Sequence, residues 1–319
     1  MAMHRRRFLV VVPAAAGALL AACSGSKPAQ VVVKPAPPLQ GTPTPTADTS
    51  EPIPPPDIDL SEAKVPQAGT ALLSLIGQVT GGQVKLLDRV YPLTQGSRSI
   101  YTFIGIDADD PPGDHRMDVE FILENGSRGA LQEQLTIVAT DWSVDSVTVP
   151  TAFLAQLLDP ATTSREVGFL QSIYSGYTPQ KLWKSEESWR LPVNGILTTR
   201  FGEVRSYNGS EPSGHHSGTD IGAADGDPVL ATNSGRIAMA RQLELRGNMV
   251  IIDHGGGLFS GYAHMRSFSV AEGQMIEAGE PVGEVGTSGL STGAHLHWEM
   301  SAGGVLVDAL RFADGSNGF

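Results

Sequence analysis

The sequence predicts a mainly β chain with one short helical connector, and three observations carry that prediction. From Ala68 to Pro150, short apolar runs such as "TALLSLIGQV" alternate with turn chemistry, including Gly-Gly, Asp-Pro-Pro-Gly and Asn-Gly. From Leu191 onward glycine becomes frequent, 23 of the chain's 37 falling in the last 129 residues between short alternating runs. Only residues 151–190 carry apolar residues at mixed spacings of three and four, the period of a helix.

The chain begins with "MAMHRRRFLVVVPAAAGALLAACSGS", a basic start followed by an apolar run from Phe8 to Ala22 and then the only cysteine, Cys23. That run is short for a bilayer span and is interrupted by Pro13 and Gly17. Residues 1–22 therefore read as a signal peptide. Leu20-Ala21-Ala22-Cys23 resembles a bacterial lipobox, which implies cleavage before Cys23 and attachment of lipid to it. "RRRFL" also resembles a twin-arginine export signal, so the export route stays open. With a single cysteine, no intramolecular disulfide can form.

Residues 23–67 follow as a tether. Eleven of the 22 prolines lie between Pro28 and Pro66, among Thr, Ala, Ser and charges. Such a segment buries too little apolar surface to offset its ordering entropy and is expected to be extended and disordered. At about 3 Å per residue it would hold a domain on the order of 100 Å from a membrane.

Residues 68–150 are expected to form an antiparallel β-sandwich. No catalytic constellation occurs in it, and His115 stands alone beside a turn. The connector 151–190 is expected to hold short helices broken at Pro160 and Pro179, with its aromatics in the core. Residues 191–319 read as a compact antiparallel β domain with strands at "GILTTRFG", "NMVIIDHG", "LFSGYAHM" and "HLHWEMSAGG".

Six of the chain's eight histidines fall between His215 and His297. Residues two apart on a strand point the same way, so His295 and His297 share a face while Leu296 enters the opposite layer. In "HHSGTDIG", His216 and Asp220 are four apart and project to one side if the segment is extended, with Gly218 leaving that side open to an ion. His215 would point away. Two imidazoles and one carboxylate make a three-ligand catalytic zinc site with an open fourth position. His254, Asp253, Asn248, Glu299, Asp225 and Asp227 are expected to serve turns and structural hydrogen bonds.

At this point "HSGTD", "GNMVIIDHG", "GYAHM" and "STGAHLHWE" resemble, in order, the signatures of the lysostaphin and LytM-type zinc metallopeptidases, which cut peptide cross-links in bacterial cell walls. The resemblance covers Leu191 to Arg311. It implies zinc held by His216, Asp220 and His297, with His264 and His295 as catalytic histidines that do not bind the metal. His295 is expected as general base and His264 as the group that orients water and stabilises the tetrahedral intermediate, the assignment between them remaining open. No H-E-x-x-H motif places a glutamate for proton transfer, so histidine must supply it. Tyr207 stands near the position of an oxyanion-stabilising tyrosine in some relatives. The preceding β domain resembles the immunoglobulin-like domain found before this peptidase in some envelope proteins, where it would dock a protein partner.

A net charge of −12 argues against a nucleic-acid partner, which calls for a concentrated basic face. The stretch "SVAEGQMIEAGEPVGEVG" resembles the hairpin of biotinyl and lipoyl carriers, but no lysine follows Lys184, so that reading fails. The expectation is a lipid-anchored envelope endopeptidase acting on peptidoglycan, in the periplasm or on the outer surface. Its rival is an inactive scaffold or activator of another wall hydrolase. The loops Arg205 to Gly214 and Gln242 to Gly247 are expected to decide which bond is cut.

Overall fold

The computed structural model describes residues 53–317 except residues 98, 152–153 and 156–158. The signal segment, Cys23 and the tether before residue 53 lie outside the described residues. Among those described, no helix is long and apolar enough to cross a membrane.

Two sheets enclose the first core. One orders the strands Asp57–Leu60, Thr70–Ile76, Ile100–Gly105 and Thr94–Gln95; the other orders Lys64–Pro66, Arg128–Val138, Gly113–Leu123, Val79–Leu86 and Arg89–Pro92. Alternation dictates the packing: Met117, Val119, Phe121 and Leu123 point inward along one strand and meet Leu73, Leu75 and Ile104 from the facing sheet. The domain expected to be an antiparallel sandwich is thus a sandwich of one antiparallel and one mixed sheet, because Lys64–Pro66 pairs parallel to Arg128–Val138.

Two expectations are corrected here. The tether ends earlier than residue 67, since Asp57–Leu60 and Lys64–Pro66 are strands and Val65 is fully buried. Both are edge strands, where Pro66 forfeits no ladder bond. At the other boundary, Val144–Val147 leaves the sandwich and pairs parallel with Val204–Tyr207 of the C-terminal part. Pro160 follows an unwound residue 159 after the helical residues 151, 154 and 155, and it begins the next helix. The helix Pro160–Tyr174 carries the proline in its first turn, where its missing N–H costs nothing, and Asp159 caps it by accepting from Thr162 N–H at 3.1 Å.

The C-terminal part is built on a large antiparallel sheet in the order Ile196–Thr199, Thr219–Gly222, His295–Ala302, Leu258–Met265, Asn248–Gly255, Gly235–Gln242 and Met275–Ile276. Its tight hairpin at Gly255, Gly256 and Gly257 has φ of 80°, 64° and 83°, a run that only glycine adopts without strain. One face of this sheet covers a core around Trp189, Tyr262, Leu296 and Trp298. The other receives the helix Pro160–Tyr174 through Leu170 and Tyr174, against Met249, Ile251 and Phe259. Phe103 of the sandwich joins the first of these cores, so residues Glu51–Phe319 form one compact unit.

Candidate metal centre

Asp220 and His297 face each other directly on adjacent antiparallel strands, so the ladder itself sets their separation. His297 Nδ1 lies 2.7 Å from Asp220 Oδ1. His216 reaches the same point by a different route from that expected. It follows the strand Ser213–His215, and a bend through Ser217 and Gly218 separates it from Thr219–Gly222, so the segment is not one extended strand. Its Nε2 is 3.1 Å from both Asp220 Oδ1 and His297 Nδ1. Gly218 is needed at the bend for a reason other than room for an ion. A Cβ there would stand 2.7 Å from Trp298 O and 2.8 Å from Cε1 and Nε2 of the His297 ring.

Fixed acceptors assign the ring protons. His216 Nδ1–H donates to Arg200 O at 2.9 Å, His264 Nδ1–H to Ser288 O at 2.9 Å and His295 Nδ1–H to Gly293 O at 2.9 Å. His297 Nε2–H donates to Glu299 Oε1 at 2.9 Å. The remaining nitrogens, Nε2 of His216 and Nδ1 of His297, therefore turn lone pairs toward Asp220 Oδ1. Three buried acceptors converging in this way repel one another unless a cation satisfies them. Zinc bonds of about 2.0–2.1 Å in a tetrahedron place ligand atoms about 3.3 Å apart, close to the edges seen here, so the donor set fits zinc. The three side chains form a His/Asp/His group with ligand atoms all within 4.8 Å of one another.

The electrostatics agree with this arrangement. Burial alone would raise the Asp220 carboxyl, but positive charge at this point, carried by a proton on His216 or His297 where the metal would otherwise stand, holds it far below the usual carboxylate range. Its second oxygen accepts from Arg205 at 2.7 Å, which leaves Oδ1 alone to face the centre. Burial pushes His216 down to about 4. For His297, burial lowers and the hydrogen bonds to Asp220 and Glu299 raise, and the net shift is upward.

His264 and His295 flank the centre, with ring centroids 4.9 Å apart, and His295 Nε2 is 3.8 Å from Asp220 Oδ1. Burial first, then the neighbouring His297 and His295, push His264 down to about 3, which keeps it neutral. Its backbone is left-handed, φ 60°, a strained conformation for a non-glycine residue. Arg246 O holds it by accepting His264 N–H at 2.8 Å. All five residues line an open cleft of about 640 Å³, and Tyr207 lies on its wall with its side chain against Arg205. His215 turns aside to Gly202 O and Trp142, while His254 is buried elsewhere between Ser234 O and Ser260 Oγ.

Sequence reasoning missed Arg205, Arg246 and the work of Glu299. Glu299 accepts from His297, Tyr174 and Arg246, orienting the His297 ring as carboxylates behind metal-bound histidines do. The strand period offered a signal for it: His295, His297 and Glu299 share one face. Arg205 carried no comparable signal, because its partner Asp220 is brought to it by the fold.

In comparison with known proteins, residues 214–309 match the model of Peptidase family M23. The chain is 31% identical over 126 residues to peptidoglycan DD-endopeptidase ShyA of Vibrio cholerae, covering 40% of this chain and 28% of that protein. It is 34% identical over 126 residues to murein hydrolase activator NlpD of Salmonella typhimurium, covering 39% and 31%. The chain thus spans about a third or less of the length of these curated relatives. A crystal structure of a putative peptidase M23 from Pseudomonas aeruginosa shares the fold, with TM-score 0.59 and 22% identity over 77% of this chain and 94% of the other.

Proposed function

We propose that the C-terminal domain is a zinc-dependent endopeptidase that hydrolyses peptide cross-links of peptidoglycan, on a chain anchored to the cell envelope by lipid at Cys23. The observation that carries this reading is the convergence of His216 Nε2, Asp220 Oδ1 and His297 Nδ1 beside two further imidazoles in an open cleft. The substrate class rests on the M23 match and on the peptidoglycan activity in the name of one relative.

Zinc held by His216, Asp220 and His297 would supply a Lewis acid for the scissile carbonyl and lower the pKa of water toward 7. The rest falls to the chain. His295 Nε2, unprotonated because Nδ1–H is committed to Gly293 O, accepts the proton that the attacking water loses. His264 Nε2 is likewise only an acceptor while neutral, so it orients that water, and the proton taken up by His295 passes on to the leaving amine. Tyr207 is the hydroxyl donor assigned to the developing oxyanion.

Similarity to an activator supports a second reading, in which the domain stimulates another hydrolase without cutting. The deciding experiment digests purified peptidoglycan with the zinc-loaded full chain, His264→Ala and His295→Ala, reading fragments by mass spectrometry and zinc in parallel. Either substitution should lower hydrolysis on the order of a hundredfold or more with zinc retained, the scale of a general acid–base contribution. A zinc-loaded wild type that releases nothing from several wall types would replace the enzyme with the activator.

A further inference from the structure

We propose that the helix Pro160–Tyr174, which lies outside the matched residues 214–309, is a positioning element of the metal centre, acting through Tyr174 on Glu299 and through Glu166 on Arg246. The inference rests on the zinc reading above and extends it to a part of the chain that the family match does not include.

The buried stripe of this helix is Thr162, Glu166, Leu170 and Tyr174. A helix that only packs would fill such a stripe with apolar side chains, because a buried carboxylate is costly unless it is hydrogen-bonded. Here the two large polar members both reach toward the centre. Tyr174 donates its hydroxyl to Glu299 Oε2 at 2.6 Å. The other oxygen, Oε1, receives His297 Nε2–H and Arg246 Nε–H, each at 2.9 Å. With both oxygens engaged from fixed directions, the carboxylate cannot rotate, and His297 must present Nδ1 to Asp220.

An independent observation shows that the Tyr174 contact is built into the sheet. Gly261 is the register partner of Glu299 on the neighbouring strand. A Cβ at Gly261 would stand 2.3 Å from the Tyr174 hydroxyl and 3.3 Å from Glu299 Oε2. The missing side chain is the gap through which the helix reaches the carboxylate.

Glu166 works on the second arm. Its two oxygens accept the backbone N–H groups of Leu245 and Arg246, each at 2.8 Å. Arg246, fixed in this way, extends its side chain to Glu299 and Ser217 and its carbonyl to His264 N–H. One helix thereby touches the supports of a metal-facing histidine and of a catalytic one.

The test uses the full chain with Tyr174→Phe, which keeps the ring and removes only the donor. Zinc affinity is read by competition with a chelator, metal geometry by the visible spectrum of the cobalt(II) form, and folding by circular dichroism of the metal-free protein. Zinc should bind about tenfold or more weakly and the cobalt bands should shift, as for other residues that orient a ligand. Arg165→Gln, on the same helix but paired with Glu244 at the surface, should change neither. Should Tyr174→Phe fail to fold, Glu166→Gln decides: zinc affinity and cobalt bands move if the helix positions the centre and stay at wild type if it only packs. Wild-type values in Tyr174→Phe, with Glu299→Gln weakened, overturn the role of the helix and leave the metal centre standing. A wild type that binds no zinc overturns the metal reading, and this inference with it.

Discussion

Replacing Gly218 by alanine tests whether the bend before Thr219–Gly222 is shaped to hold the His297 ring. At an unstrained site such a change stabilises a protein by about 0.4–1 kcal/mol, because alanine restricts the unfolded chain. Gly218 lacks the positive φ that would itself penalise alanine, so the sign of the effect depends on what the new Cβ meets. It would meet Trp298 O at 2.7 Å and two atoms of the His297 ring at 2.8 Å. Carbon contacts favour about 3.5 Å, so relief requires a movement of about 0.7 Å. The carbonyl belongs to the central strand His295–Ala302, paired on both sides, which leaves the ring or the bend to move. Metal bonds tolerate about 0.2 Å, and forced overpacking costs about 1–3 kcal/mol. Gly218→Ala should therefore lower the metal-free unfolding free energy by about 1–2 kcal/mol and weaken zinc at least about tenfold. Denaturant unfolding and chelator competition measure the two effects. An alanine variant that is more stable than wild type and holds zinc as tightly would refute the reasoning.

Two further outcomes are expected. Expressed in its host, the chain should partition with membranes, and Cys23→Ala should release it or block its processing; a soluble, unlipidated wild type would end the lipoprotein reading. Burial holds His254 down to about 4, so as pH falls from about 6.5 toward 4 the unfolded chain takes up the proton first and stability drops by about 1.4 kcal/mol per pH unit from this residue. Urea unfolding at pH 7 and pH 5 should show a smaller difference in His254→Gln, and an unchanged difference would remove His254 as the cause.

What was legible in the sequence is what local periodicity writes down. Alternation set His295 and His297 on one face, because side-chain direction on a strand depends only on residue number. The proline count ran the tether too far, since composition is averaged over a window while Val65 is fixed by a single burial across the sandwich. Pro160 marked a boundary between helical segments, but that its ring starts the second helix is decided by the cap at Asp159, since a first turn tolerates proline where a helix interior does not. Arg205, Arg246 and Tyr174 left no trace, as each acquires its meaning from a partner that is distant in sequence.

That division between local and distant information bears on where substrate choice resides. Two of the three converging groups, Asp220 and His297, are direct register partners on neighbouring strands, so their backbone separation is set by the ladder itself. The cleft around them is built differently. Asp145, Val147 and Val149 line it from the segment that leaves the sandwich, and Thr163 and Val167 line it from the helix. None of these belongs to residues 214–309. Arg205 joins the two systems, since its guanidinium bonds Asp220 at 2.7 Å and lies 3.7 Å from Asp145. A cleft wall supplied by the connecting segments can vary in shape and charge while the acceptors that converge on the metal position stay fixed. Changes at Val147 or Val149 should for that reason alter which wall peptide is accepted, with zinc affinity unmoved, whereas changes at Arg205 should alter both.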